Sequence, residues 1–143
     1  MMKEKCEKRL DRDGVTRALE IISLISHRYN VAYRDWQVRG IDRNLAPSEI
    51  DRFRRLRRLH LASIEIARSV ERATYLDRTK DGLSELFDLK YIDLYSNQEI
   101  AERMCFSVRS VQRKILQLSI LFDEDDELNA ELASWISMYE EGL

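Results

Sequence analysis

From Val15 onward apolar residues recur at helical spacing: Val15, Leu19, Ile22, Ile25 and Tyr29 are separated by steps of four, three, three and four. Such a set occupies one face of an α-helix, which the pattern extends weakly towards Trp36. Residues 40–47 break the rhythm and read as a connection, after which Ser48, with Asp51 three residues on, makes an imperfect capping box. A second helix is expected from Glu49 to about Tyr75 on Ile50, Phe53, Leu56, Leu59 or His60, Ile64, Ala67 and Val70. Two long helices with a short join form an antiparallel hairpin. Residues 77–82 are polar, and three short apolar segments then follow in quick succession. A last stripe, Leu128, Leu132, Trp135, Ile136 and Tyr139, comes after the acidic run 123–127.

Composition supports the same class. The 143 residues suit one domain, and 44% apolar content can build a core, which argues against wholesale disorder. Four Gly and a single Pro leave little material for the tight turns of a sandwich or barrel. The expected fold is all-α.

Charge changes the picture more. The 24 basic and 26 acidic residues nearly cancel, yet residues 115–143 hold eight acids and no base. Residues 1–114 therefore carry 24 bases against 18 acids, a net of +6. A basic body with an acidic tail points towards nucleic acid. Eighteen of the bases are Arg, the side chain that forks onto phosphate and guanine. Five of them, Arg52, Arg54, Arg55, Arg57 and Arg58, crowd one stretch of the second helix. They read either as a solvated face or, for Arg54, Arg55, Arg57 and Arg58 in particular, as candidate phosphate contacts.

Other chemistries find little support. Cys6, Cys105, His27 and His60 show no CxxC or HExxH spacing, so no metal and no cofactor is expected. With no Gly-rich phosphate loop either, an enzyme is the least expected class. The charged start, residues 1–13, is expected to fray and leads to no signal-peptide core; no apolar run approaches the ~20 residues that span a bilayer. The expectation is a cytoplasmic protein with no membrane contact.

The informative stretch is 96–118. Ser96 and Glu99 make a full S-x-x-E box, which starts a helix at Asn97 with Ile100, Ala101 and Met104 on its apolar side. Ser107 is a second cap only eleven residues later, followed by Val108, Val111, Ile115 and Leu118 at inward spacing. Two helices joined this tightly read as a helix-turn-helix, with the small Ala101 where they cross and Val111 locking the second onto the first. The outward side of that second helix offers Arg109, Ser110, Gln112, Arg113, Lys114 and Gln117, with no acid from Ser107 to Phe122. Solvated faces usually mix signs; this one is all donors.

On these residues, Asp88-Leu-Lys-Tyr-Ile-Asp, Tyr95-Ser-Asn-Gln-Glu-Ile-Ala-Glu-Arg-Met and Phe106-Ser-Val-Arg-Ser-Val, the chain resembles the C-terminal part of phage late-transcription regulators of the ArpU and RinA type. That part is in turn similar to region 4 of bacterial sigma factors. The resemblance covers about residues 83–118. Cys105 stands at the turn where Gly or Asn is common, Lys90 replaces an arginine, and Lys80-Asp-Gly-Leu replaces a Leu-Pro-rich lead-in.

The sequence thus divides into a basic helical region, 1–80, expected to oligomerise; a sigma region 4-like helix-turn-helix, 81–122; and an acidic amphipathic helix, 123–143. The resemblance implies a sequence-specific DNA-binding regulator that activates phage or prophage late genes. Double-stranded DNA, RNA polymerase and further copies of the chain are the expected partners. Ser107, Arg109, Ser110, Gln112, Arg113, Lys114 and Gln117 are the expected DNA-contacting set, with Arg109, Ser110 and Arg113 nearest base edges. Two other readings stay open: a packaging protein like the small subunit of a phage terminase, and a protein-interaction module such as an anti-repressor or polymerase-binding factor. For the acidic helix, packing on the body and binding a partner are both open.

Overall fold

The computed structural model describes residues 9–39 and 46–142, and among them every regular element is helical. Six α-helices follow one another: α1 Arg12–Arg39, α2 Pro47–Thr74, α3 Leu83–Phe87, α4 Asn97–Met104, α5 Val108–Glu124 and α6 Asp126–Gly142. A 3-10 turn, Arg78–Lys80, precedes α3, and a π turn, Asp88–Ile92, prolongs it. The fold is all-α, as the hydrophobic pattern indicates.

The long helices start where local chemistry lets them. Asp11 caps α1: its Oδ1 accepts from the Gly14 N–H at 2.7 Å, so the helix begins three residues before the apolar stripe. At α2, Pro47 takes the first helical position, where a missing N–H is no loss, and Glu49 Oε1 accepts from the Ala46 N–H at 3.0 Å. That arrangement replaces the expected Ser48–Asp51 cap. The connection before it falls largely on residues 40–45, outside the described residues.

α1, α2 and α6 lie side by side, with α6 antiparallel to α2. Three points fix the direction: Ser69 Oγ donates to Glu131 Oε2 at 3.0 Å, the Trp135 indole N–H donates to the Leu59 carbonyl at 3.0 Å, and Gly142 sits beside Arg55 and Arg58. α3, α4 and α5 close the end of this bundle where α2 finishes. Val15, Leu19 and Ile22 of α1 share one core with Val70 of α2, Phe87 of α3, Ile100 of α4, Phe122 of α5 and Leu132 of α6. The Phe87 and Phe122 rings are fully buried with centroids 6.0 Å apart, and each contributes roughly 1.5–3 kcal/mol by leaving water. The three regions read from the sequence therefore share one hydrophobic interior. Because α2 is covered by α1, α3 and α6, its buried side is wider than one stripe. Ser63 and Ile66 are buried there, while Ile64 and Ala67 are only half-buried.

The acidic helix packs on the body. Leu128, Leu132 and Trp135 are buried against it, and the acids at its start meet the basic residues at the other end of the chain. Arg9 Nη2 donates to Asp126 Oδ1 at 3.1 Å and Arg12 Nε to Asp123 Oδ2 at 3.4 Å; Arg9 also donates to the Asp123 carbonyl. Exposed pairs of this kind contribute only about 0–1 kcal/mol each. They do show that the basic body and acidic tail are not separate electrostatic objects. Nor is the start of the chain loose at residues 9–10, because the buried Asn129 amide holds Leu10: its Oδ1 accepts the Leu10 N–H at 2.9 Å, and its Nδ2 donates to the Leu10 carbonyl at 3.0 Å. Residues 1–8 lie outside the described residues.

Between α1 and α2, the Tyr29, Tyr33, Trp36 and Phe53 rings stack in a ladder that ends on His60, whose ring lies 4.6 Å from that of Tyr29. Among the described residues the buried His60 Nδ1 has no partner, and burial holds the imidazole pKa below its ordinary 6.5. Below that value the unfolded chain takes up a proton that the folded chain resists. Stability from this site is present above pH 6.5 and is lost as pH falls from there through the lowered folded value. Urea unfolding between about pH 7.5 and 5.5 should show a smaller loss of stability for His60→Phe than for wild type. Equal losses would mean that position 60 takes no part.

Candidate nucleic-acid interface

The α4–turn–α5 unit is built by three local devices. Ser96 Oγ accepts from the Glu99 N–H at 3.1 Å and Glu99 Oε1 from the Ser96 N–H at 2.8 Å, so both halves of the capping box are made. The same backbone bond lowers the Glu99 pKa and keeps it ionised at the helix's positive end. At the other end, Cys105 adopts the left-handed conformation, φ 60 and ψ 41, and the Ala101 carbonyl accepts from both the Cys105 and Phe106 N–H groups. Ser107 then caps α5, its Oγ accepting from the Ser110 N–H at 3.0 Å. Ile100, Ala101 and Val111 are buried where the two helices meet, and Val108 and Ile115 are half-buried beside them.

Cys105 is exposed and is held where a Cβ is unfavourable. Cys105→Gly removes that conflict without giving up a buried contact. It should raise stability by about 1 kcal/mol, read as a higher denaturation midpoint at an unchanged m-value. A lower midpoint would show that the thiol makes an interaction worth more than the strain.

Supporting elements hold the unit from behind. Lys90 Nζ donates to Asn97 Oδ1 at 3.0 Å, tying the π turn to the start of α4; burial lowers its pKa. Leu94, with φ 67, turns the chain from that π turn into α4. Gly82 has φ 82, a left-handed conformation that favours glycine, and a Cβ there would stand 3.2 Å from Met104 Cε, which would have to shift slightly.

The face that α5 turns to solvent carries Arg109, Gln112, Arg113 and Gln117, all exposed. Arg109 and Arg113 stand one turn apart near its N-terminal end. Leu116, 53% exposed, lies in the same stripe. A search for hydrogen-bond donors along the sequence passes over this residue; its place three residues beyond Arg113 is the signal that reveals it. Two other expected contact residues are partly engaged within the chain. Ser110 Oγ lies 3.1 Å from Ser107 Oγ as part of the cap. Lys114 Nζ donates to the Asp81 carbonyl at 2.9 Å and sits 5.5 Å from the Phe106 ring centroid, drawn back towards α3. The outward stripe, from Arg109 to Gln117, spans roughly 12 Å along the helix.

Arg54, Arg55, Arg57 and Arg58 are exposed but are not brought to this face. They occupy the start of α2, whereas α5 is anchored beside residues 81–82, just past its end. From Arg58 to Thr74 the axis runs on the order of 24 Å. The neighbour of Arg55 and Arg58 is instead the C-terminal end of α6.

Among the described residues no helix is long and apolar enough to cross a membrane, and no group of three or more His, Cys, Asp or Glu side chains is placed to hold a metal ion. No family model, no curated protein and no solved structure matches the chain.

Proposed function

We propose that the chain is a sequence-specific DNA-binding transcriptional regulator, with α4 and α5 acting as a helix-turn-helix and α5 as the helix that enters the major groove. One observation carries the reading: an exposed α5 face made of donors and one apolar residue, without an acid, on a helix whose start is set by the Ser107 cap directly after the left-handed turn at Cys105. Arg109 and Arg113 read base edges, Leu116 packs against thymine methyl groups, and Gln112 and Gln117 fix the helix on the backbone. Ser107, Ser110 and Lys114 position α5 more than they read sequence. Activation of phage or prophage late genes is the regulatory role we assign. It makes RNA polymerase the second partner, and a homo-oligomer would place two α5 helices on a repeated site.

The test is selection of bound fragments from random double-stranded DNA, followed by titration of the chosen site against salt. Enrichment of one motif, with affinity falling steeply as salt rises, supports the reading. Failure to retain any fragment at low salt removes it in favour of a protein-interaction module. Reporter activation from the selected site distinguishes a regulator from a terminase-like packaging protein. The Arg cluster belongs in the same titration. Because α2 carries it away from α5, replacing Arg54, Arg55, Arg57 and Arg58 by Gln should leave the salt slope unchanged. A slope reduced by about 0.9 for each phosphate no longer neutralised would instead put DNA on that end of the bundle.

A further inference from the structure

The apolar stripes that the sequence offers for self-association are consumed inside the chain: Val15, Leu19, Ile22 and Ile25 are buried, as are Leu56, Leu59 and Val70. A different line on α1 is left open. Leu24, Val31 and Val38 are 39%, 51% and 80% exposed and stand seven residues apart. Seven-residue steps return to nearly the same side of a helix, drifting only about 20° each time. The three side chains therefore form one apolar line, about 21 Å long. Arg28 and Asp35, also exposed and also seven apart, run along one flank of it, on either side of Val31.

We propose that this line is the contact surface of a homodimer in which two copies of α1 pack antiparallel about a two-fold axis at Val31. In a register centred there, Leu24 meets the second copy's Val38, and Val31 meets itself. The two-fold lies across the helices, so like flanks face each other. Arg28 then comes beside the second copy's Asp35, and symmetry repeats the pair at the other end. In a parallel pairing the two-fold would run along the helices and set Arg28 and Asp35 against the opposite flank, which carries His27 and Arg34, so the Arg28–Asp35 pair is made, twice, only in the antiparallel arrangement. Asp35 is also engaged within its own chain, and its two carboxylate oxygens have capacity for a second donor. Val31, Arg28 and Asp35 also line a cleft of about 490 Å³ between α1 and α2, on the flank of the line that carries the two charges. This surface uses none of the α5 residues assigned to DNA, and it stands whether or not the chain binds DNA.

The experiment is disulfide trapping in full-length protein carrying Cys6→Ser and Cys105→Asn, combined with sedimentation velocity and no DNA present. Val31→Cys should give a cross-linked dimer on mild oxidation. A mixture of Leu24→Cys and Val38→Cys should cross-link to each other in excess over either alone. Arg28→Asp should weaken the dimer about 10-fold, and Arg28→Asp with Asp35→Arg should restore it, since exchanging both signs recreates the pair. Leu24, Arg28, Val31, Asp35 and Val38 are exposed, and circular dichroism checks that each variant is folded. A wild-type monomer at concentrations up to about 100 µM overturns the proposal, since no useful affinity would remain. So does a dimer that survives Val31→Arg, and so does Leu24→Cys cross-linking to itself as readily as to Val38→Cys.

Discussion

Arg109→Ala and Arg113→Ala should each lower affinity for the selected DNA site roughly 10- to 100-fold while leaving binding to scrambled DNA much less affected. The magnitude follows from chemistry: a guanidinium paired with the two acceptors of guanine is worth about 1–3 kcal/mol of discrimination against other bases. Both side chains are exposed on α5, one turn apart, so neither replacement disturbs the core. Each variant should also relax preference at only one or two base pairs. Lys114→Ala is the control, because its ammonium is already bonded to the Asp81 carbonyl. It should weaken every sequence alike and by little. Titration of wild type and the three variants on the selected and scrambled fragments, at one salt concentration, makes the comparison. If both arginine variants kept full discrimination, α5 would not be the reading helix.

The largest effect on stability from a single polar side chain is expected at Asn129. It is buried and makes three bonds to backbone, to the Leu10 N–H, the Leu10 carbonyl and the Phe122 carbonyl. Asn129→Ala leaves those groups to find water or go unpaired, and should cost about 2–3 kcal/mol. For a chain of this size that is a fall of roughly 6–10 °C in Tm. It should also free residues 9–11 from the α5–α6 corner, where Arg9 and Arg12 meet Asp123 and Asp126. Faster hydrogen exchange at the Leu10 and Val15 amides would report that release separately from the loss of global stability. A Tm within about 1 °C of wild type would show that the clamp contributes nothing.

Several features of the chain are legible without coordinates because their causes lie within a few residues. The Ser96–Glu99 box, the Ser107 cap, the turn at Cys105 and the inward Val111 are all set by hydrogen bonds or spacings no longer than one or two helical turns. The same holds for the helical class itself, since the apolar steps of α1, α2 and α5 need no partner to be recognised. The cap of α2 departs from the expected one for a local reason: Glu49 reaches back to Ala46, and Pro47 takes the first helical position, so Ser48 is already inside the helix.

What only the tertiary structure decided concerns pairs far apart in the chain. Periodicity says that a residue is on an apolar face, not which neighbour covers it. Hence the stripes from Val15 and Ile50, which periodicity alone offers for self-association, are covered by one another and by α3, α5 and α6, while Leu24, Val31 and Val38 remain outside. Composition counts charges without locating them. Folding brings Asp123 and Asp126 to Arg9 and Arg12, draws Lys114 back to Asp81, and carries the arginines of α2 to the opposite end of the bundle from α5. Periodicity and capping act over one or two turns of helix, whereas these placements depend on how whole helices lie against one another. That is settled by the shape of the shared core.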